Sequence, residues 1–554
     1  MRRYATLFFF SFIATSCFTQ SECESTWLDT ASVLKNNYRQ SSTDNLARLI
    51  FNDTWSDPVF NGDGTSTLFD LGIARGFWVT GMDPSGTVKV AASSYNDSDY
   101  ALGPIWAGTV DESIVCNFFR RVWNVSGDEI RQVQADFLDG TLEVDNIPKD
   151  ILEWPAKGNP HIEALAIEED LAPFFDYKRN GIYDPLDGDL PLPVVNTNDF
   201  IPHQLRFYVI NDRGAHTLSR GIPLDLELQV TEFVTNPTEP SEVATTVFSR
   251  VKYVNKGSED LIDFRIGIWD DTDLGCFTND FMGTNRSFSS TFIYNRSGVD
   301  DDNGCAVSIS DSINTIRSLV FFNCDLQTSM YYFNCGVVDA SPSQCDPQTA
   351  MDYHRYLNGQ WRDGTPLTFG GDGLNPGSTD TTAFAFTSLP NDPLGWSMQD
   401  VFGFTDIRTV SSTGLDTLAA GESGMLDFAD HLLISESTGL DIFDNYHDII
   451  WDLKKDYTFD ILGFVTSTED DNSQDRPLFG IRPNPADAYL DVTFNQPLKG
   501  ELIVHTIEGL FVEAISVAGQ PTLRLGLGDY ARGTYVMTLV SESSLYTQKF
   551  LKLK

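Results

Sequence analysis

At 554 residues the chain is long enough for more than one domain, and 37 Lys and Arg against 79 Asp and Glu give a formal net charge of −42. Nucleic acid and anionic membrane surfaces need clustered cations, so this balance excludes both as partners. The acidic excess reads as solubility and cation tolerance outside the cell.

Arg2 and Arg3 precede an apolar run, 7–14, of the length of a signal-peptide core. Residues 1–19 are expected to be removed, with cleavage near Thr19 and Gln20. Ala14-Thr15-Ser16-Cys17 loosely imitates a lipobox, but Ala14 stands where a larger aliphatic is usual. No later segment approaches the ~18 apolar residues of a membrane helix, so no transmembrane helix is expected. Export makes the cysteines readable as disulfide formers. Cleavage leaves Cys23, Cys116, Cys276, Cys305, Cys324, Cys335 and Cys345, an odd set with one left over. The cluster from Cys305 to Cys345 is the expected place for a local bridge, and no C-x-x-C spacing suggests zinc or redox chemistry.

Between 20 and 465, Gly, Pro, Asn and Asp punctuate short β-rich runs at roughly 8–12-residue spacing, the pattern of a β-sandwich. Strands are expected at 88–92, 204–210, 225–231, 246–254 and 264–269. Alternating apolar residues flank Asn255-Lys256-Gly257-Ser258, which predicts a hairpin of 247–254 with 261–269. Helices are few; 128–138 and 350–357 are the best candidates. No internal repeat indicates a solenoid or propeller. The expected class is mainly β, a multi-domain β-sandwich. Its divisions are a β-rich domain at 20–200 and a sandwich at 201–465, then a polar linker at 466–477 and a further small domain at 478–554.

The sharpest chemical pattern is a calcium-like loop. Asp176, Lys178, Asn180, Gly181, Ile182, Asp184 and Asp187 fall at positions 1, 3, 5, 6, 7, 9 and 12 of an EF-hand-like loop. A turn through Gly181 would fold the oxygens of Asp176, Asn180, Asp184 and Asp187 and the Ile182 carbonyl around a structural Ca2+. Lys178 departs from the pattern, and no Glu closes it. A solvated acidic turn is the plainer alternative. Asp270, Asp271 and Asp273, then Asp280 and Asn285, follow Trp269 where strand-end carboxylates could converge on a cation or flank a sugar. Asp300-Asp301-Asp302 reads as a hydrated loop.

No catalytic residue is assigned. H-E-x-x-H and G-x-S-x-G are absent, and neither a P-loop nor G-x-G-x-x-G after a strand suggests a nucleotide cofactor. His216 lacks an identifiable partner and reads as structural. The tryptophans Trp55, Trp78, Trp106, Trp123, Trp269, Trp361 and Trp396 are expected mostly in the core, although exposed ones could stack on carbohydrate.

The tail is built differently. Residues 478–554 hold seven Lys or Arg and seven Asp or Glu, so all of the net charge lies upstream. Short alternating strands at 490–494, 502–507, 522–527, 534–540 and 546–553 suffice for a small Ig-like sandwich of seven strands. Pro483-Asn484-Pro485, Gly533-Thr534-Tyr535-Val536 and the ending Lys549-Phe550-Leu551-Lys552-Leu553-Lys554 resemble the type A C-terminal sorting domain of cargo secreted by the type IX system of Bacteroidota. The resemblance implies recognition of 478–554 by the type IX secretion machinery, export across the outer membrane to the cell surface or medium, and attachment to surface lipopolysaccharide or glycan. Asp-Ser/Thr pairs at Thr30, Ser312, Thr381 and Thr417 resemble the O-glycosylation signal of the same group.

Upstream, Phe77-Trp78-Val79-Thr80-Gly81-Met82-Asp83-Pro84, Asn180-Gly181-Ile182-Tyr183, Trp269-Asp270-Asp271 and Gln360-Trp361-Arg362-Asp363-Gly364 are similar to a large family of surface or secreted Bacteroidota proteins. The likeness runs in patches over most of 70–430 and implies no activity. The expected role is structural or binding, adhesin-like; the alternative is a secreted hydrolase acting on polysaccharide or peptide.

Overall fold

The computed structural model describes residues 73–461 except 96, 107–109, 111, 163–164, 195–199, 236–240, 275, 297–313, 404, 436–438 and 458–460. It also describes 479–552 except 485, 487, 495–498, 507–510, 529, 531–532 and 542–543, and five short strands between 32 and 69. The expected signal peptide, the linker 466–477, Cys23, Cys305, Trp55, Asp300 to Asp302, Thr30 and Ser312 lie outside the described residues.

Two antiparallel sheets form the body. In the first, Thr328–Phe333, Ile407–Leu418, Leu261–Thr272 and Ile73–Met82 lie side by side, and both Leu49–Phe51 and Val88–Ala92 pair with Ile73–Met82. The second has nine strands. Its order is Asp280–Asn285, Ser290–Asn295, Asn314–Phe321, Ser423–Ser435, Thr246–Asn255, Leu226–Val234 and Gln204–Asn211, and the short strands Ala101–Leu102 and Trp123–Ser126 both pair with Gln204–Asn211. The sheets pack face to face through pairs such as Phe77 with Phe428, 6.4 Å between ring centroids, and Tyr253 with Phe264 at 5.2 Å. One apolar core serves both. Segments on the two sides of residue 200 share these sheets, so the expected division at 200/201 does not separate two cores.

The strands themselves follow the alternation in the sequence. Thr246–Asn255 and Leu261–Thr272 form as expected, but they do not pair as a hairpin. The first pairs with Leu226–Val234 and Ser423–Ser435, and the second with Ile73–Met82 and Ile407–Leu418, in the opposite sheet. The turn between them crosses the sandwich. Alternation specifies a strand with one buried face; it does not specify the neighbour. Here the two apolar faces meet across the core, as Tyr253 meets Phe264.

The nine-stranded sheet is covered on its other face as well, which is why Leu226–Val234 is buried at every position. Trp154 packs on Phe207 at 5.7 Å, and Tyr457, after the helix Tyr446–Asp456, stacks on Phe248 at 5.5 Å. Helices Gly127–Leu138 and Ala350–Leu357 stand where the sequence places them. The first opens with a capping box in which Ser126 and Glu129 satisfy each other's backbone N–H groups. Cys335 and Cys345 are bridged, inside the predicted cluster; Cys116 and Cys276 are also in disulfides, and Cys324 is free.

The tail has its own core, including Leu490, Val492, Leu502, Val504, Met537 and Leu539. Three strands (Phe479–Arg482, Tyr489–Phe494, Thr522–Gly526) form one sheet. Four (Phe511–Ala518, Lys499–Thr506, Gly533–Ser541, Ser544–Lys552) form the other, giving the seven expected.

Candidate functional sites

The 176–187 loop makes its turn at Gly181, where φ is 73°. Its oxygens face the loop's own backbone. Asp176 accepts the N–H groups of Asn180 at 3.1 Å and Gly181 at 2.6 Å, and Asn180 Oδ1 accepts that of Ile182 at 2.8 Å. Asp184 Oδ1 caps Leu186 at 3.0 Å and lies 2.9 Å from His161 Nε2, while Asp187 is ion-paired with Lys178. Lys178, the residue that breaks the ligand pattern, thus neutralises the acid at its end. The Ile182 side chain is exposed. The loop is anchored by a residue outside the pattern: Asp189, fully buried, accepts from Tyr177 and Asp184, both at 2.8 Å. Burial pushes its pKa up to about 6. Among the described residues, no three His, Cys, Asp or Glu side chains gather closely enough to hold a metal ion.

Of the acids after Trp269, Asp273 lies just past the strand end, but the first two do not. Asp270 and Asp271 belong to the strand Leu261–Thr272 and are buried. Asp270 lies 2.7 Å from Arg75 and 3.4 Å from Arg317, and Asp430 lies 2.8 Å from Arg317 and 3.6 Å from Arg75. Two members come from each sheet, so the four close a ring of charges inside the sandwich. Asp271 points to a second group, 3.2 Å from Arg408 and hydrogen-bonded to Tyr95. Its burial raises its pKa to about 6. Asp280 accepts from the Leu274 N–H at 2.9 Å. Asp270, Asp271 and Asp280 are thus buried within the sandwich, in contacts with its own residues. His216 is likewise internal, with Nε2 2.6 Å from the Asp212 carbonyl.

The open site is a groove of about 850 Å3 that no single stretch of sequence signals. Thr284, Asn285, Arg286, Ser287 and Ser289 line it from the turn between Asp280–Asn285 and Ser290–Asn295. Asp325, Phe384, Ser388, Asn391, Asp392 and His447 line it from three other segments. Arg286 stacks its guanidinium over Phe384, 4.6 Å from the ring centre. Asn285 is 6% exposed, and its Nδ2 is buried with no hydrogen-bond partner. Phe288 touches both His447 of the groove and Trp451 one helical turn on, with centroids at 5.6 and 6.4 Å. Trp451 is 58% exposed. Of the tryptophans expected in the core, Trp78, Trp123, Trp269, Trp361 and Trp396 are buried there. The exposed Trp451 was not singled out by sequence.

A second, narrower cavity of about 440 Å3 lies on the outer face of the nine-stranded sheet, under residues 170–174. Of the remaining glycosylation candidates, Thr381 and Thr417 are exposed.

Residues 480–553, which include all but the first residue of the seven tail strands, match the family described as a secretion system C-terminal sorting domain. The tail is a type IX secretion sorting domain, as carried by cargo of that system. The match implies export across the outer membrane to the cell surface or the extracellular space, and engagement of the secretion machinery through the tail. No curated protein matches the chain. Among the described residues, no helix is long and apolar enough to cross a membrane. Lys552 of the basic ending is 3% exposed, paired in the last strand opposite Gly533.

Proposed function

We propose that this secretion cargo is an adhesin-like binding protein that takes a saccharide chain in the groove between Asn285 and Asp392. The carrying observation is the lining itself. Amide, hydroxyl, guanidinium and carboxylate groups converge there beside an exposed indole. Sugar hydroxyls both donate and accept, so they need such mixed partners, and the C–H face of a sugar ring packs on an aromatic. The buried, unpartnered Nδ2 of Asn285 is a donor in want of an acceptor.

Asp325 and Asp392 line the same groove, which favours a polysaccharide hydrolase as the second reading. Incubating the full chain with a polysaccharide panel, scoring retention and released product together, separates the two. Retention without product, lost in Trp451→Ala, is the expected result. Product released by the wild type and lost in Asp325→Asn or Asp392→Asn would make the protein a hydrolase. Neither retention nor product on any member of the panel would refute the groove. Attachment to surface lipopolysaccharide or glycan after export belongs to the same proposal. It requires a surface form of higher mass than the released polypeptide.

A further inference from the structure

The narrower cavity differs from the groove in shape and in charge. Its floor is set by register on the nine-stranded sheet: Gln229 lies directly opposite Lys252, and Lys252 directly opposite Met425. Residues so paired project from the same face at the spacing of adjacent strands, about 4.8 Å. Leu171 and Phe174 supply an apolar wall above them.

In this row one buried amide oxygen has no hydrogen-bond partner, and one ammonium has no contact ion pair. Gln229 is 3% exposed, and its Nε2 donates to Glu227 Oε1 at 2.8 Å, which fixes the orientation of the amide. Its Oε1 is left buried with no hydrogen-bond partner. Lys252 Nζ donates to the Asp170 carbonyl at 2.9 Å, but among the described residues no carboxylate lies within 4.0 Å of it. The other two cations of the cavity are matched, Arg250 by Asp427 at 3.1 Å and Lys157 by Asp170 at 3.5 Å. Burial lowers the pKa of Lys252. The Lys252 ammonium feels the carboxylates of Asp170, Glu227 and Glu169 only from beyond ion-pair distance. It is poised for an anion from outside.

We propose that this cavity binds a carboxylate that stands beside an N–H and an apolar side chain, the arrangement at the C-terminus of a peptide or in an N-acylated amino acid. The carboxylate meets Lys252 Nζ, the N–H meets Gln229 Oε1, and the apolar group lies against Met425 and Phe174. A cavity of about 440 Å3 holds one or two such residues.

The test is calorimetric titration of the full chain with N-acetylphenylalanine, glycylglycylphenylalanine and the C-terminal amide of each. Binding of either acid, with its amide about tenfold weaker or worse, supports the site. Which acid binds identifies the source. Lys252→Met should weaken the acids by about tenfold or more, and Lys252→Arg should retain them. Gln229→Leu should weaken N-acetylphenylalanine and leave 3-phenylpropionate, which has no N–H, unchanged. Trp451→Ala, which disables the groove, should leave all these titrations as they are, so the two sites fail independently. Absence of binding by every acid, or equal binding in wild type and Lys252→Met, overturns the proposal.

Discussion

Arg317 is the sharpest test of the charge ring inside the sandwich. It is 2% exposed and grips Asp430 with two parallel hydrogen bonds, Nε to Oδ1 at 2.8 Å and Nη2 to Oδ2 at 2.9 Å, while Nη1 faces Asp270 at 3.4 Å. Arg317→Met keeps most of the volume and removes the charge. Asp430 is then left with Arg75 at 3.6 Å and Asp270 with the same guanidinium at 2.7 Å, so one cation serves two buried carboxylates. Removing one partner from a buried ion pair costs about 3–5 kcal/mol, because the desolvation of the other is no longer offset. For a unit of this size the unfolding entropy converts that into a fall of about 4–6 °C in Tm. Scanning calorimetry of the main transition reads it. Adding Asp430→Asn should recover part of the loss, since it removes one of the two carboxylates that face Arg75. A single variant within about 1 kcal/mol of wild type, or a double variant less stable than the single, would refute the ring as an energetic unit.

Three further predictions follow from the same observations. Asp189 has a folded pKa near 6, above its ordinary 3.8, so the folded state binds the extra proton. Its contribution to stability therefore falls as pH rises from about 4 to about 6 and is level above that. Asp189→Asn should flatten this part of the Tm–pH curve, and an unchanged slope would show that Asp189 is not the titrating group. A calcium ion in the 176–187 loop would have to displace Lys178 from Asp187, so the melting midpoint should be the same in calcium and in chelator. A rise in calcium would establish the loop as a metal site. Deleting 478–554 should trap the protein in the periplasm, and surface display of the truncated chain would exclude the tail as the sorting element.

Local order was legible residue by residue. The helix expected at 128–138 spans Gly127–Leu138, and the strands of the tail fall where apolar residues alternate, because helical and period-two burial act over a few neighbouring residues. The tail was further marked by its balanced charge and its basic ending. The chemistry of the body was not legible in this way. Trp269-Asp270-Asp271 reads locally as acids leaving a strand. Their meaning depends on Arg75, 195 residues from Asp270 in sequence, and on Arg317, 47 residues away. The 256–260 turn looks like a hairpin because alternation records which face is buried and not which strand lies beside it. The groove takes its lining from four separated segments, and the pairing of Gln229 with Lys252 exists only through register. Short-range physics, written in the order of residues, settled the elements and the class of fold, and the export signal was legible as a family resemblance. Tertiary structure decided which charges are neutralised and which polar atoms are left without partners, since both depend on contacts that chain order does not encode.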